Sequence, residues 1–244
     1  MLGKVVRYLK WIRSINGRHR RMEIGRRFLP SLRRQYELDV MVGPIGYWRE
    51  LQRYQIGALQ RLGLQPGHRL LDIGCGPLQG GLAFVRYLDA GRYTGIDVKP
   101  SAIAAGWQQI ERAGLQTKRP QLFVSDCFGR DELAGQQYDH VWCSQMLYHL
   151  DASQVDALFA QLAARLAPHG RFHGDIIGYP NEVTEHSHWG GFRFHLHTLD
   201  SLRQIAGRHD LTVRDLGPIE AFGYPQDIAL RTNRLLEITR VSPA

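Results

Sequence analysis

The chain has 244 residues, 43% of them apolar and 22% charged, enough for one α/β domain with an ample core plus an extension. No apolar run approaches the roughly 20 residues that would cross a bilayer, and Cys75, Cys127 and Cys143 show neither metal nor scaffold spacing, so they read as reduced, buried thiols of a cytoplasmic protein. The formal charge of +8 is unevenly placed: residues 1–34 hold eleven Lys and Arg against the single acid Glu23, leaving 20 basic and 22 acidic residues elsewhere. Any argument for a polyanionic partner therefore belongs to this arm.

On a helical wheel, Leu2, Val5, Tyr8, Leu9, Ile12 and Ile15 fall opposite Lys4, Arg7, Lys10 and Arg13, with Val6 and Trp11 at the borders. This spacing predicts an amphipathic helix of about four turns. A basic face, an apolar face and a border Trp suit an anionic membrane surface, where each basic residue contributes about 1 kcal/mol. Docking onto the rest of the chain or onto a partner subunit is the alternative, with RNA or DNA contact ranked third. The charges interrupt every apolar stretch that a secretory signal would need.

Pro30 is expected to break any second helix, and Val42-Gly43-Pro44-Ile45-Gly46 to form a flexible hinge, so that residues 1–46 are an arm and residues 47–244 the folded domain. A helix from Tyr47 to Leu62 follows. Tyr47 and Trp48, beside the hinge, either close over a ligand or pack ordinarily.

The next segment carries most of the function. Leu70-Leu71-Asp72-Ile73 reads as a buried strand with an acid near its carboxyl end, and Gly74-Cys75-Gly76 as a turn that lets the backbone approach a ligand closely. A second strand, Tyr93 to Ile96, delivers Asp97, where a carboxylate can accept hydrogen bonds from both hydroxyls of a ribose. Dinucleotide folds use G-x-G-x-x-G beneath a pyrophosphate; here Gly80 and Gly81 come one and two places late for that pattern. Asp72 would also repel a diphosphate, whereas it suits an ammonium group.

Further elements alternate strand and helix: Pro100 to Gly114, strand Gln121 to Val124 ending at Ser125-Asp126, strand Tyr138 to Ser144, and a helix from the capping box Asp151-x-x-Gln154 through Leu166. Ala167-Pro168-His169-Gly170 then turns into a fifth strand, and Thr198 to Ala206 is a helix closed by Gly207. Leu211–Val213 and Leu235–Thr239 supply two late strands. The alternation implies a parallel sheet wound on both faces.

From about Gly67 to Ile177 the collinear order D-x-G-x-G, Gly-Ile-Asp97, Ser-Asp126, the fourth strand and the Pro-His-Gly turn resembles the class I S-adenosylmethionine-dependent methyltransferases. The chain departs from that family's usual turn at Ala167 and His169. The resemblance implies a Rossmann-like, doubly wound, mostly parallel seven-stranded sheet with an antiparallel last strand. It implies S-adenosylmethionine as cofactor, with Asp72 orienting its methionine end, Asp97 holding the ribose, Asp126 facing the adenine amine, and Gly74 and Gly76 admitting it to the turn.

After the fourth strand, Ser144-Gln145-Met146-Leu147-Tyr148-His149 shows neither the nucleobase-amine signature nor a nucleophilic Cys beside Pro. An imidazole, with an ordinary pKa of about 6.5, can deprotonate a hydroxyl during transfer, which makes His149 the first candidate base; a His that fixes the loop by hydrogen bonding is the alternative. Residues 178–197 hold Glu185, His186, His188, Trp189, His195 and His197, and class I enzymes usually insert their substrate-recognition elements here. H-x-H on a strand puts both rings on one face, which favours a substrate pocket over packing or a metal site, with His188 as second candidate base. Together with Tyr179, Phe192 and Phe194 and the lipid-suited arm, the expectation is an O-methyltransferase, cytoplasmic and peripheral to the inner face of a membrane. Its acceptor would be a sugar hydroxyl of a bacterial surface polysaccharide or glycolipid precursor. A soluble small-molecule acceptor, an RNA methyltransferase that uses the arm as a phosphate clamp, and a non-catalytic cofactor-binding scaffold are the competing readings.

Overall fold

The computed structural model describes residues 15–177, 188–189, 192–193, 195–229 and 232–241. The amphipathic helix expected from Leu2 lies almost entirely outside the described residues.

Strands β1 (Leu70–Ile73), β2 (Tyr93–Asp97), β3 (Gln121–Val124), β4 (Tyr138–Cys143) and β5 (Leu166–Ile177) run parallel. A short ladder, β6 (His188–Trp189) against β7 (Phe192–Arg193), stands apart. Strand β9 (Asn233–Arg240) is antiparallel to both β5 and β8 (Leu211–Pro218), which gives the order β3-β2-β1-β4-β5-β9-β8. All four residues of β1 are buried, as a strand in the centre of a doubly covered sheet must be, and Asp72 among them is an acid. Chain order reverses between β1 and β4, and a ligand crevice forms at such a switch point, beyond the carboxyl ends of the strands.

Helices α3 (Trp48–Arg61), α4 (Gly81–Tyr87) and α5 (Pro100–Arg112) cover one face through Leu51, Leu59, Phe84, Val85, Ile103 and Ile110. Helices α6 (Ala152–Arg165) and α7 (Leu199–Gly207) cover the other through Val155, Leu158, Phe159, Leu162, Leu202 and Ile205. The capping box forms as expected: Asp151 Oδ1 accepts from Gln154 N at 2.9 Å while Gln154 Oε1 accepts from Asp151 N at 3.0 Å. The Ala167–Gly170 turn is absorbed into β5 as an irregularity where the register against β4 shifts.

The N-terminal region differs from expectation. Helices α1 (Ile15–Gly25) and α2 (Pro30–Val42) form a pair, and Pro30 opens α2 instead of breaking it. At the first helical position a missing N–H costs nothing and the fixed φ is already helical. The pair packs tightly enough that a Cβ on Gly25 would lie 2.6 Å from Leu32, and the Arg26 guanidinium covers the Tyr36 ring at 4.5 Å. Arg18 reaches Glu50 at 2.6 Å and the Gly46 carbonyl at 3.2 Å. Buried Asp39 accepts from Gly46 N at 2.6 Å and from Gln35 at 2.8 Å. The segment expected to be a hinge is thus tied to the folded domain.

Tyr47 and Trp48 pack in the core rather than over the crevice. Tyr47 donates its hydroxyl to Asp227, and Arg18 lies 4.2 Å above its ring. Cys75 and Cys143 are buried free thiols; Cys127 is a free thiol too but only half-buried, unlike the other two.

Candidate functional site

Beyond the carboxyl ends of β1, β2 and β4 lies a cleft of about 750 Å³, floored by the Gly74–Gly76 turn. Gly74 and Gly76 have φ of 72° and 54°, where an L side chain is strained. A Cβ would also lie 2.8 Å from Met146 Sδ at the first and 2.9 Å from Val42 Cγ1 at the second. The N–H groups of Gly74 and Cys75 both donate to the Ile96 carbonyl, at 2.9 and 3.0 Å, so β2 holds the turn in place.

Asp97 stands at the tip of β2 in the cleft wall. Its Oδ2 accepts from Gly76 N at 3.0 Å and its Oδ1 from Lys99 N at 2.8 Å. Each carboxylate oxygen accepts about two hydrogen bonds, so one site on each oxygen is left for a pair of vicinal hydroxyls. Asp72 also lines the cleft but is almost fully buried, and its Oδ2 accepts from the Tyr93 hydroxyl at 2.7 Å. Burial pushes its carboxyl up to about 7, against the lowering effect of the Tyr93 bond, and the Asp97 charge adds to the rise. Asp126 is an exposed residue at the cleft edge, next to Ser125, whose N–H donates to the Asp97 carbonyl at 3.0 Å.

Loop 144–150 forms a further wall of the cleft, with Met146 beside Gly74. Gln145 takes a left-handed φ of 56°, and its N–H donates to Asp175 Oδ1 at 2.7 Å. Burial pushes the Asp175 carboxyl up to about 6 even though the Gln145 N–H lowers it. The loop then makes a 3-10 turn over Leu147–His149, which places Tyr148 and half-buried His149 in the cleft with their rings 4.7 Å apart. Two more of the expected histidines brace this loop. His195 N–H donates to the Tyr148 carbonyl at 2.7 Å, and the buried His197 ring lies 2.8 Å from the Leu150 carbonyl. Residues 195–198 are not in a strand, so His195 and His197 do not form the strand face of an H-x-H pattern; the His195 backbone and the His197 ring brace the loop.

The structure therefore gathers Asp72, Gly74, Gly76, Asp97, Asp126 and His149 around one cleft. His188 pairs with Arg193 in the β6–β7 ladder, and its side chain, like Glu185 and His186, lies outside the described residues. Among the described residues no group of three His, Cys, Asp or Glu is arranged to hold a metal ion.

Three contributors escaped the sequence reading. Residues 39–45 line the cleft from the arm side. Gln55, buried on α3, accepts from Trp142 Nε1 at 3.0 Å and approaches Gln79 Oε1 at 3.4 Å; a Gln among the inward positions Leu51, Tyr54, Ala58 and Leu59 was the available signal. Asp175, an acid inside a central strand, was the other.

The acceptor set suits a ligand with hydroxyls and an ammonium group, since two carboxylates face the turn where a diphosphate would have to sit. Residues 71–172 match the family of methyltransferase domains. Among solved structures, the chain is similar to the magnesium protoporphyrin IX methyltransferase of Synechocystis PCC 6803 with bound S-adenosylmethionine: identity is 16%, 90% of this chain and 96% of that one are covered, and the TM-score is 0.57. It is similar to the glycopeptide N-methyltransferase MtfA complexed with S-adenosylmethionine, at 16% identity, 78% and 93% coverage and a TM-score of 0.58. The CcbJ methyltransferase from Streptomyces caelestis matches at 13% identity, 78% and 95% coverage and a TM-score of 0.58.

Proposed function

We propose that this chain, whose residues 71–172 match the methyltransferase-domain family, is a class I S-adenosylmethionine-dependent methyltransferase that methylates a hydroxyl group, on a sugar of a surface polysaccharide or glycolipid precursor presented at the inner face of a membrane. The observation that carries the hydroxyl reading is the His149 imidazole in the wall of the cleft that also holds the glycine turn. The basic arm, residues 1–34, supports the membrane setting.

When bound, the cofactor supplies an electrophilic methyl group on a sulfonium sulfur. The protein's part is alignment and proton transfer. Asp97 holds the ribose hydroxyls through its remaining acceptor sites, Asp72 faces the ammonium, Asp126 takes the adenine amine at the cleft edge, and Gly74 and Gly76 leave room for the close approach. The cleft residues would align an acceptor oxygen with that methyl group, whose transfer would leave the sulfur neutral. The acceptor's proton passes to His149. His188, in the β6–β7 ladder, remains the second candidate base.

The test is transfer of label from methyl-tritiated S-adenosylmethionine onto host extract separated into glycolipid, polysaccharide, RNA, protein and small-molecule fractions. Label in glycolipid or polysaccharide that is lost with Asp97→Ala supports the reading. Label confined to small molecules moves the acceptor to the soluble small-molecule class, and label confined to RNA replaces it with the phosphate-clamp reading. Cofactor binding without transfer to any fraction would favour a scaffold role.

A further inference from the structure

The exposed positions of α2 are Pro30, Ser31, Arg33, Arg34, Glu37, Val40 and Met41. All but Ser31 fall at offsets of three, four, seven, ten and eleven from Pro30, so they form one continuous outward face. At its start this face meets the turn Arg27–Leu29, where Phe28 is 76% and Leu29 52% exposed. At its end stand Val40 and Met41, which also line the cleft. Arg33 and Arg34 lie between the two apolar ends, and the face's one acid, Glu37, is engaged by Arg33 at 3.3 Å. Arg20, Arg21 and Ile24 on α1 extend the same pattern beside the turn.

Large apolar side chains held out in water beside arginines fit a phase that offers hydrocarbon and anionic groups at one boundary. Nucleic acid would reward the cations but not Leu29, Val40 or Met41. We propose that the outward face of α2, with the Arg27–Leu29 turn, is the surface on which the protein lies against an anionic lipid bilayer, turning the mouth of the cofactor cleft toward the lipid. The inference rests on the membrane setting proposed above and assigns it to a specific surface. Helix α2 spans about 20 Å at 1.5 Å per residue, so contact along its face brings a lipid-linked acceptor to Met41 at the cleft mouth without leaving the interface.

The experiment is co-sedimentation of the full-length protein with vesicles of phosphatidylcholine alone or with about one-third phosphatidylglycerol, which exploits the electrostatic attraction of the anionic surface. The native protein is expected to partition onto the anionic vesicles only. The double variants Phe28→Ser/Leu29→Ser and Arg33→Gln/Arg34→Gln should each lower partition at least about tenfold, while S-adenosylmethionine affinity by calorimetry stays unchanged, because none of the four residues touches the cleft. Peroxide oxidation of Met41 should slow on anionic vesicles and not with phosphatidylcholine. Full binding by both double variants would overturn the α2 surface while leaving the rest of the arm as the membrane contact. No binding by the native protein would overturn the membrane setting as well. Vesicle binding with undiminished Met41 oxidation would overturn the cleft orientation, and preference for single-stranded RNA over anionic vesicles would replace lipid with nucleic acid.

Discussion

Tyr93 donates its hydroxyl across 2.7 Å to Asp72 Oδ2, so the acid that precedes the glycine turn is held from the neighbouring strand before any cofactor arrives. The carboxyl is raised to about 7, chiefly by burial. A cofactor ammonium beside it favours the carboxylate, so binding drives off a proton. Cofactor affinity should rise with pH and level off above about 7, the slope below approaching tenfold per unit, as one released proton requires. Calorimetric titrations below pH 7 in buffers of different ionisation heat should report that proton, and a buffer-independent heat would refute the coupling. Tyr93→Phe removes the bond that lowers the carboxyl and should move the levelling-off to higher pH. In the free protein the sign is opposite: with its folded value above the unfolded 3.8, Asp72 stabilises the fold most at low pH and progressively less up to about 7.

Asp97 should be the most sensitive cofactor contact. Hydrogen bonds to a charged group contribute about 1.5–3 kcal/mol each, so Asp97→Ala is expected to weaken S-adenosylmethionine binding by about a hundredfold or more. The substitution also frees the Gly76 and Lys99 N–H groups, loosening the turn. Asp97→Asn keeps one acceptor oxygen and should fall between. Equal affinities for native and Asp97→Ala protein would remove the ribose role.

His149→Gln tests the base. General-base assistance contributes roughly 10²–10⁴-fold, so kcat should fall within that range with a far smaller loss of cofactor affinity. An unchanged kcat in the variant would assign the proton to another group, with His188→Gln the next substitution to make.

The parts of the site that were legible in the sequence are those built within a few residues of chain. The turn at Gly74 and Gly76 announces itself because its φ values demand glycine, and Asp97 because a strand of fixed length carries it to the same edge. The capping box at Asp151 is legible for the same reason. What was missed is joined across long stretches: Gln55 to Trp142 over 87 residues, Gln145 to Asp175 over 30, and residues 39–45 folded back over the turn. Pro30 was misread because the same ring that breaks a helix interior is favoured at its first turn; the residues around it do not say which applies. His197 looked like a site residue because nothing local shows that its ring ends against the Leu150 carbonyl.

Far from the cleft, acid stability should be governed by a stack of imidazoles. The rings of His68 and His140 are 5.2 Å apart and those of His140 and His173 5.9 Å. Burial lowers His140 to about 4, with the His173 and His68 charges adding to it, and burial lowers His173 as well. Glu237, held by His173 and Arg214, is lowered to about 2. Both imidazoles bind protons more readily unfolded, so their contribution is complete above the unfolded value of 6.5 and is lost as pH falls toward about 4. Glu237 adds a further loss below 4.5. Thermal unfolding should show Tm falling steeply between pH 6.5 and 4, and His140→Phe should flatten that fall. A Tm that is level across this window would show that the stack opens to water without unfolding.

The turn itself offers a test that separates backbone strain from crowding. In Gly74→Ala the new methyl group meets Met146 Sδ at 2.8 Å while the backbone stays at φ 72°. The thioether can move aside, but the left-handed conformation costs an alanine about 1–2 kcal/mol wherever its neighbours go. Adding Met146→Ala to Gly74→Ala should therefore relieve the contact without restoring native stability or cofactor affinity. The double variant should remain about 1 kcal/mol or more below Met146→Ala alone. If instead the two matched in Tm and in S-adenosylmethionine affinity, the glycine would be needed only to clear Met146, and the turn would tolerate alanine whenever that space is free.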